Sequence, residues 1–546
     1  TVRDVNLTTG VVTLSNAIAE GVLVSNTAIV FTVYRNFDAL NIPVGVGSYS
    51  PVSNVISTLL ADSAYTVGIK QVLSAFPFSS EPAFFTLQDV GTLNIGYRAL
   101  RTDLSQTVID VNVDTLTSLL GDAVVENPLA LGVQVALANT TTLVKALSLE
   151  SNDFAGYQAA LEVLESDSSV YALAPLTQDL AVHQLFKTHV TQLSTPIEAA
   201  WRMALVNTVI PTTKFVTTAT EDLPGSAFVR QIAGGFTYLI DPDADFLGSG
   251  VVGTDLVTIN AFVLGAATLP SGTTPVDFIG TWTVANVIDA NTLQIVSTDP
   301  AYDFNYTTGT NQSSTEIAPY YVQRTLLKSD QAETVAAVSS NFGSNRVVHV
   351  QPDSVSVEVK GSTVAGLPGY YLTSALAGAI AGYPVQQGFT NVAIAGISDL
   401  QNANYYFKRN DLNTMAATGT CLFVQSTQGG IPFCRHELTT DITALEYREI
   451  LKVKNWDFVS YYVYNLLKPF VGSWNIVEDT LNTVRTTLIA GLELLIQQKL
   501  PKIGSPLLSY TILKLEQSTV NKDRIIVSIR ITLVDPANYF DVNLEI

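Results

Sequence analysis

The chain has 546 residues, of which 47% are hydrophobic and only 14% charged, and it carries a net charge of −20. That charge argues against a nucleic-acid partner, whose phosphates call for a basic surface, and no apolar run approaches the ~18 residues needed to span a bilayer. Ordinary soluble proteins are roughly 25% charged, so this chain either hides much of its surface in an assembly or is a large monomer surfaced with Ser, Thr and Asn.

In chain order, residues 1–130 read as a β-rich region with frequent Gly, Pro, Ser and Asn punctuation. Its plainest strand is Ile29 to Tyr34, whereas residues 1–25 look only weakly β. No basic stretch followed by an apolar one opens the chain, so no secretory signal is read. Residues 131–211 change to α/β, with a helix from Tyr157 to Leu164, a short strand at Ser169 to Leu173, and a helix from Asp179 to Leu193. Strand, loop and helix in that order predict a parallel sheet. Residues 212–325 lose the helical period and hold eleven acidic against three basic residues, as an inserted acidic all-β domain would.

The α/β pattern resumes over 326–440, with a strand at Arg346 to Val350 closed by Pro352. Gly369 to Gly382 reads as a helix with a small-residue surface (Ala375, Ala377, Gly378, Ala379, Ala381), which lets it lie close to a neighbour. Cys421 and Cys434 flank a Gly429-Gly430 turn and are expected as free, buried thiols. Residues 441–546 are expected to hold two long helices and terminal strands. Thr440-Asp441 offers an N-cap for a helix running to about Leu467. Val477, Leu481, Val484, Leu488, Leu492 and Leu495 form the stripe of a second helix. Ile525, Val527, Ile529, Ile531 and Leu533 then alternate with polar residues, as in a half-buried strand. After the turn Asp535 to Asn538 the alternation restarts with Phe540, Val542, Leu544 and Ile546. A strand running to the last residue must pair somewhere, and an open edge recruits another chain.

Chemical motifs are sparse. Gly248 to Gly253 matches GxGxxG, but the strand-like Thr254 to Ile259 follows where a dinucleotide site needs a helix. Asp241, Asp243 and Asp245 alternate as in a calcium loop, yet Phe246 and Val252 stand where that loop needs Gly and Glu, so a solvated acidic turn is expected. His183, His189, His349 and His436 are scattered without metal-ligand spacing. No catalytic residue, metal or cofactor is assigned.

Several segments, in this order, resemble one family, the sheath proteins of contractile bacteriophage tails. They are the strand ending at Pro352, the helix Tyr371 to Gly382, Gly388 to Asn391, Asn413 to Gly419, Phe433 to Thr440, Pro469 to Gly472 with Asn475, and Pro536 to Tyr539. Val170 to Thr177 is similar to the first half of the split α/β sheath domain. The resemblance covers about half of the chain and omits residues 1–130 and 212–325. It implies an α/β (α+β mixed sheet) core domain split by the inserted β-domain, and a non-enzymatic subunit of stacked hexameric rings. Such rings surround a tail tube and contract to drive it through the host envelope. Partners would be copies of itself, the tube, baseplate and tail terminator proteins, in a virion tail assembled in the host cytoplasm, with no membrane insertion. Tyr539, Phe540, Val542, Leu544 and Ile546 would form the inter-subunit linker strand. The C-terminal domain would lie innermost, with Lys452, Lys454, Lys499 and Lys502 as candidate tube contacts and the 212–325 domain facing outward. Residues 451–546 carry ten basic and nine acidic residues, so nearly all the net negative charge lies upstream, in accord with that arrangement. The alternatives are another virion tail component, or a secreted polysaccharide-active enzyme, which needs a carboxylate pair ~5–9.5 Å apart.

Overall fold

The computed structural model describes residues 108–538, except 126, 150, 217–227, 233–235, 260–261, 264–279, 298–312, 318–319, 401–406 and 428; before residue 108 it describes the backbone of six strands. The fold is mixed α/β with several sheets. The chain divides into two compact units, Thr1–Val209 with Val335–Ile546, and Ile210–Thr334.

The first unit is built on a five-stranded sheet in the order Phe433–His436, Thr420–Val424, Val347–Gln351, Met203–Val206, Ala172–Leu173. All neighbours are parallel except the antiparallel edge strand Phe433–His436. Both central strands are buried along their whole length, as parallel strands covered on two faces must be. Successive side chains point to opposite faces. Met203, Leu205, Val348 and Val350 therefore enter one core with the helices Pro128–Leu137 and Tyr370–Gly382. Ala204, Val206 and Val347 enter another with Phe154–Glu165 and Leu180–Leu193. Each fully buried Val contributes roughly 1.5–3 kcal/mol.

The small-residue surface of the helix Tyr370–Gly382 does what its composition predicts. A Cβ on Gly378 would sit 2.1 Å from the backbone oxygen of Ala136, and one on Gly382 2.5 Å from that of Asn139. Only glycine permits this approach to the helix Pro128–Leu137 and to the residues just after it. Val111, Leu116, Leu120 and Ala130 join the same core. Asp153 and Asp179 cap their helices by accepting from Gly156 N and Ala181 N.

Two expectations change. Val2–Asn6 pairs with Val11–Leu14 in a six-stranded sheet, so strand pairing there outweighs weak local β character. The first long helix is Ile450–Leu467, not a helix capped by Thr440. Thr440 Oγ1 instead exchanges hydrogen bonds with the backbone of Ser344 (3.0 and 2.9 Å), and Thr439 Oγ1 donates to Tyr447 O at 2.6 Å. These bonds hold residues 439–447 as a brace with only a short helix, Leu445–Arg448.

In the second unit the described strands form one nine-stranded antiparallel sheet around Leu239, Phe246, Trp282, Leu293 and Val322. Entry and exit lie side by side, because Thr213–Phe215 pairs with Tyr320–Thr325. The acidic turn is not simply solvated. Asp241 is buried and accepts from Tyr320 Oη at 2.6 Å, while Asp245 accepts from Gly248 N at 2.8 Å. The residues after the GxGxxG match form the strand Leu256–Ile259, and nearby Asp255 is buried against Arg324 at 2.8 Å.

Candidate interface at the C-terminal hairpin

The two long helices, Ile450–Leu467 and Glu478–Gln497, lead into a hairpin of Ser509–Gln517 and Ile525–Thr532. Glu478 and Asp479 occupy the first turn of the second helix, where acids favour the helix dipole. Val484, Leu488, Leu492 and Leu495 from the expected stripe are buried, while Val477 at its start is exposed. Gly491 admits the first helix closely, since a Cβ there would meet Leu466 Cδ1 at 2.2 Å.

The hairpin pairs Tyr510 with Ile531, Ile512 with Ile529 and Leu515 with Val527. The register shifts between Ile512 and Lys514. This extra residue, Leu513, keeps Leu515 half-buried like Ile512 and leaves Leu513 itself 53% exposed. Tyr510, Ile529, Ile531 and Leu533 pack on a core of Val459, Leu492, Leu495 and Leu507. Ile512, Leu515, Ile525 and Val527 stand outside that core and are half-buried. Among the described residues no third strand joins this sheet. The hairpin therefore offers two backbone edges and a partly seated apolar face.

The chain leaving the hairpin is tied down. Lys452 forms an ion pair with Asp535. Asn538 Nδ2 donates to Glu449 Oε1 at 2.8 Å and lies 3.4 Å from His436 Nε2. Burial pulls the Glu449 carboxyl upward, but its contacts with His436 and Arg448, both at 3.2 Å, outweigh that and hold it below the usual carboxylate range. Tyr539, Phe540, Val542, Leu544 and Ile546 lie outside the described residues.

The four candidate lysines occupy different settings. Lys499 and Lys502 are exposed. Lys452 is occupied by Asp535. Lys454 is 5% exposed, and its Nζ donates to Tyr383 O at 2.8 Å and Pro384 O at 3.4 Å, which removes it from the surface. Burial lowers its pKa to about 7 against the attraction of Glu437. Sequence reasoning also missed an exposed apolar group on the helices and the turn between them: Trp456, Tyr461, Tyr464, Val471 (80% exposed) and Trp474. Its signal was present, because Ile450–Leu467 carries large apolar residues around its whole circumference.

Several side chains of types used in catalysis lie in buried, hydrogen-bonded surroundings. Ser339 Oγ lies 2.7 Å from His349 Nδ1, and Thr208 Oγ1 lies 2.8 Å from His349 Nε2, but the Ser339 and His349 side chains are wholly buried. Burial lowers the His349 pKa to about 3. His189 and the buried Arg202 are joined at 2.8 Å, and Arg202 also donates to Leu164 O at 2.6 Å. Cys421 and Cys434 are free and buried, with sulfurs 3.8 Å apart. A cavity of about 660 Å³ lies among Leu161, Leu173, Ala377 and Gly378; Ser148, whose Oγ has no hydrogen-bond partner, also lines it.

No protein-family model matches the chain, and no relative among the curated proteins does. Solved structures similar to it are contractile sheath proteins and their assemblies. The helical sheath of the anti-feeding prophage in its contracted state is 12% identical, covering 82% of this chain and 90% of that one, with a TM-score of 0.46. A chain of the six-fold symmetrised baseplate of the same system is 13% identical, over 82% and 89%, with a TM-score of 0.47. A sheath tail protein from Listeria innocua is 13% identical, over 57% and 79%, with a TM-score of 0.29.

Proposed function

We propose that this chain is the repeating subunit of a contractile tail sheath, a structural protein rather than an enzyme. Copies assemble as stacked hexameric rings around a tail tube, between baseplate and terminator proteins, and are tied together by exchange of terminal strands. Contraction drives the tube through an envelope, with the energy coming from new subunit contacts. The observation that carries the reading is the hairpin Ser509–Thr532, which has two unoccupied edges among the described residues and an apolar face only half seated. Its tethered continuation leads into the alternating residues Phe540 to Ile546. A terminal segment with strand-like alternation in its sequence and an open sheet edge in the same chain are what a strand-addition joint requires. The ordered resemblance from Pro352 to Tyr539 supports the same reading. Exposed Lys499 and Lys502 at one end of the second long helix, and exposed Val471 and Trp474 at its other end, are the proposed tube-facing residues.

Electron microscopy of the purified protein tests this directly. Long tubes or stacked six-fold rings are expected, and a monodisperse monomer at high concentration would sink the reading. Deleting residues 536–546 is expected to leave a folded subunit that no longer polymerises. Full-length tubes from the truncated protein would refute the linker role.

A further inference from the structure

The terminal segment passes close to a buried carboxyl that the fold leaves poorly compensated. Glu437 follows the edge strand Phe433–His436 and is wholly buried. Neither of its carboxyl oxygens has a hydrogen-bond partner of normal geometry, although the amides of Phe389 and Leu451 face it. Gly388 borders both this carboxyl and the terminal segment. A Cβ on that glycine would stand 2.5 Å from Glu437 Oε1 and 3.8 Å from Pro536 Cβ.

The charged groups around Glu437 are few. Glu449, from the turn before the first long helix, disfavours a second negative charge, while buried Lys454 on that helix favours it. Arg448 and His436 are engaged with Glu449, and Lys452 with Asp535. The neighbouring thiol of Cys434 is pushed well up by its own burial and adds no positive charge. Burial, with Glu449, raises the Glu437 pKa to about 8.

We propose that Glu437 is a positioning residue for the C-terminal arm, holding Val534–Asn538 against the core while its carboxyl is protonated and releasing them when it ionises. An ionised carboxylate in this site has Glu449 beside it and too few donors, so it must draw in water. Gly388, against this carboxyl, also borders Pro536, and the Asn538–Glu449 bond lies within the same cluster, so water drawn in here loosens the arm's seat. The idea rests on the strand-exchange reading and adds its regulation: the arm's direction is fixed below about pH 8 and freed above it.

The test is read on the full-length single subunit and needs no assembly. Cys421 and Cys434 are buried, so a nitroxide on the exposed position of an Ala537→Cys variant reports the arm alone. We expect an immobilised spectrum at pH 6 and a mobile one at pH 9. With Glu437→Gln, which mimics the protonated acid, the spectrum should stay immobilised throughout. Absence of a transition, or its persistence in Glu437→Gln, would each overturn the proposal. A Glu437-dependent transition in a protein that forms no tubes would keep the clasp and discard the sheath reading. Tubes without the transition would do the reverse.

Discussion

At the residue scale, the buried ionisable groups set how stability follows pH. The Glu437 pKa rises from 4.5 to about 8 on folding. Its contribution is thus fully present below 4.5 and is lost as pH rises through 8. Lys454 runs the other way, falling from 10.5 to about 7, so its contribution is full above 10.5 and is lost as pH falls through 7. Together they place a stability minimum near neutral pH. Urea unfolding at pH 5, 7.5 and 9.5 checks this: Glu437→Gln should flatten the acid limb and Lys454→Met the alkaline one. Asp457 supplies a second case. It is buried, accepts from Tyr171 Oη at 2.8 Å and forms an ion pair with Arg346. Arg346→Ala should cost about 3–5 kcal/mol at neutral pH, because it leaves a buried charge without its partner. That cost should shrink on acidification, when Asp457 is neutralised; an equal loss at both pH values would assign it to packing.

At the element scale, the helix Tyr370–Gly382 is the clearest case of composition becoming geometry. Gly378→Ala should cost about 1–3 kcal/mol, since the new methyl meets backbone that cannot swing aside. Urea or thermal unfolding measures it, and a neutral result would mean the helix pair has slack. This helix, the capped helices after Asp153 and Asp179, and the strand at Val347 were legible because local pattern and tertiary demand agree there. The start of the first long helix was not. Thr440 and Asp441 are good helix starters, but Thr440 is held by Ser344, nearly a hundred residues away in sequence. Of the candidate site, the alternation of Ile525–Thr532 was legible, and its pairing with Ser509–Gln517 stays within the unit. The burial of Lys454 was not, because what consumes its charge is two carbonyls of a distant loop.

At the scale of the whole molecule, the inserted unit Ile210–Thr334 has its own core and enters and leaves through adjacent strands. Replacing residues 212–326 by a short Gly/Ser linker should leave the rest of the chain folded, as read by circular dichroism and thermal unfolding. Loss of all cooperative unfolding would show that the two units share stability. The tight seat of Gly378 on the helix Pro128–Leu137, and of Gly382 just beyond it, has a mechanical side as well. Backbone in contact with backbone has almost no compliance, so this part of the first unit behaves as a stiff strut. The stretch Asp535–Asn538, held by an ion pair and a few hydrogen bonds, is by contrast a soft spring in series with it. Tension applied at the carboxyl end is taken up first in that spring, and the strut is carried along undeformed.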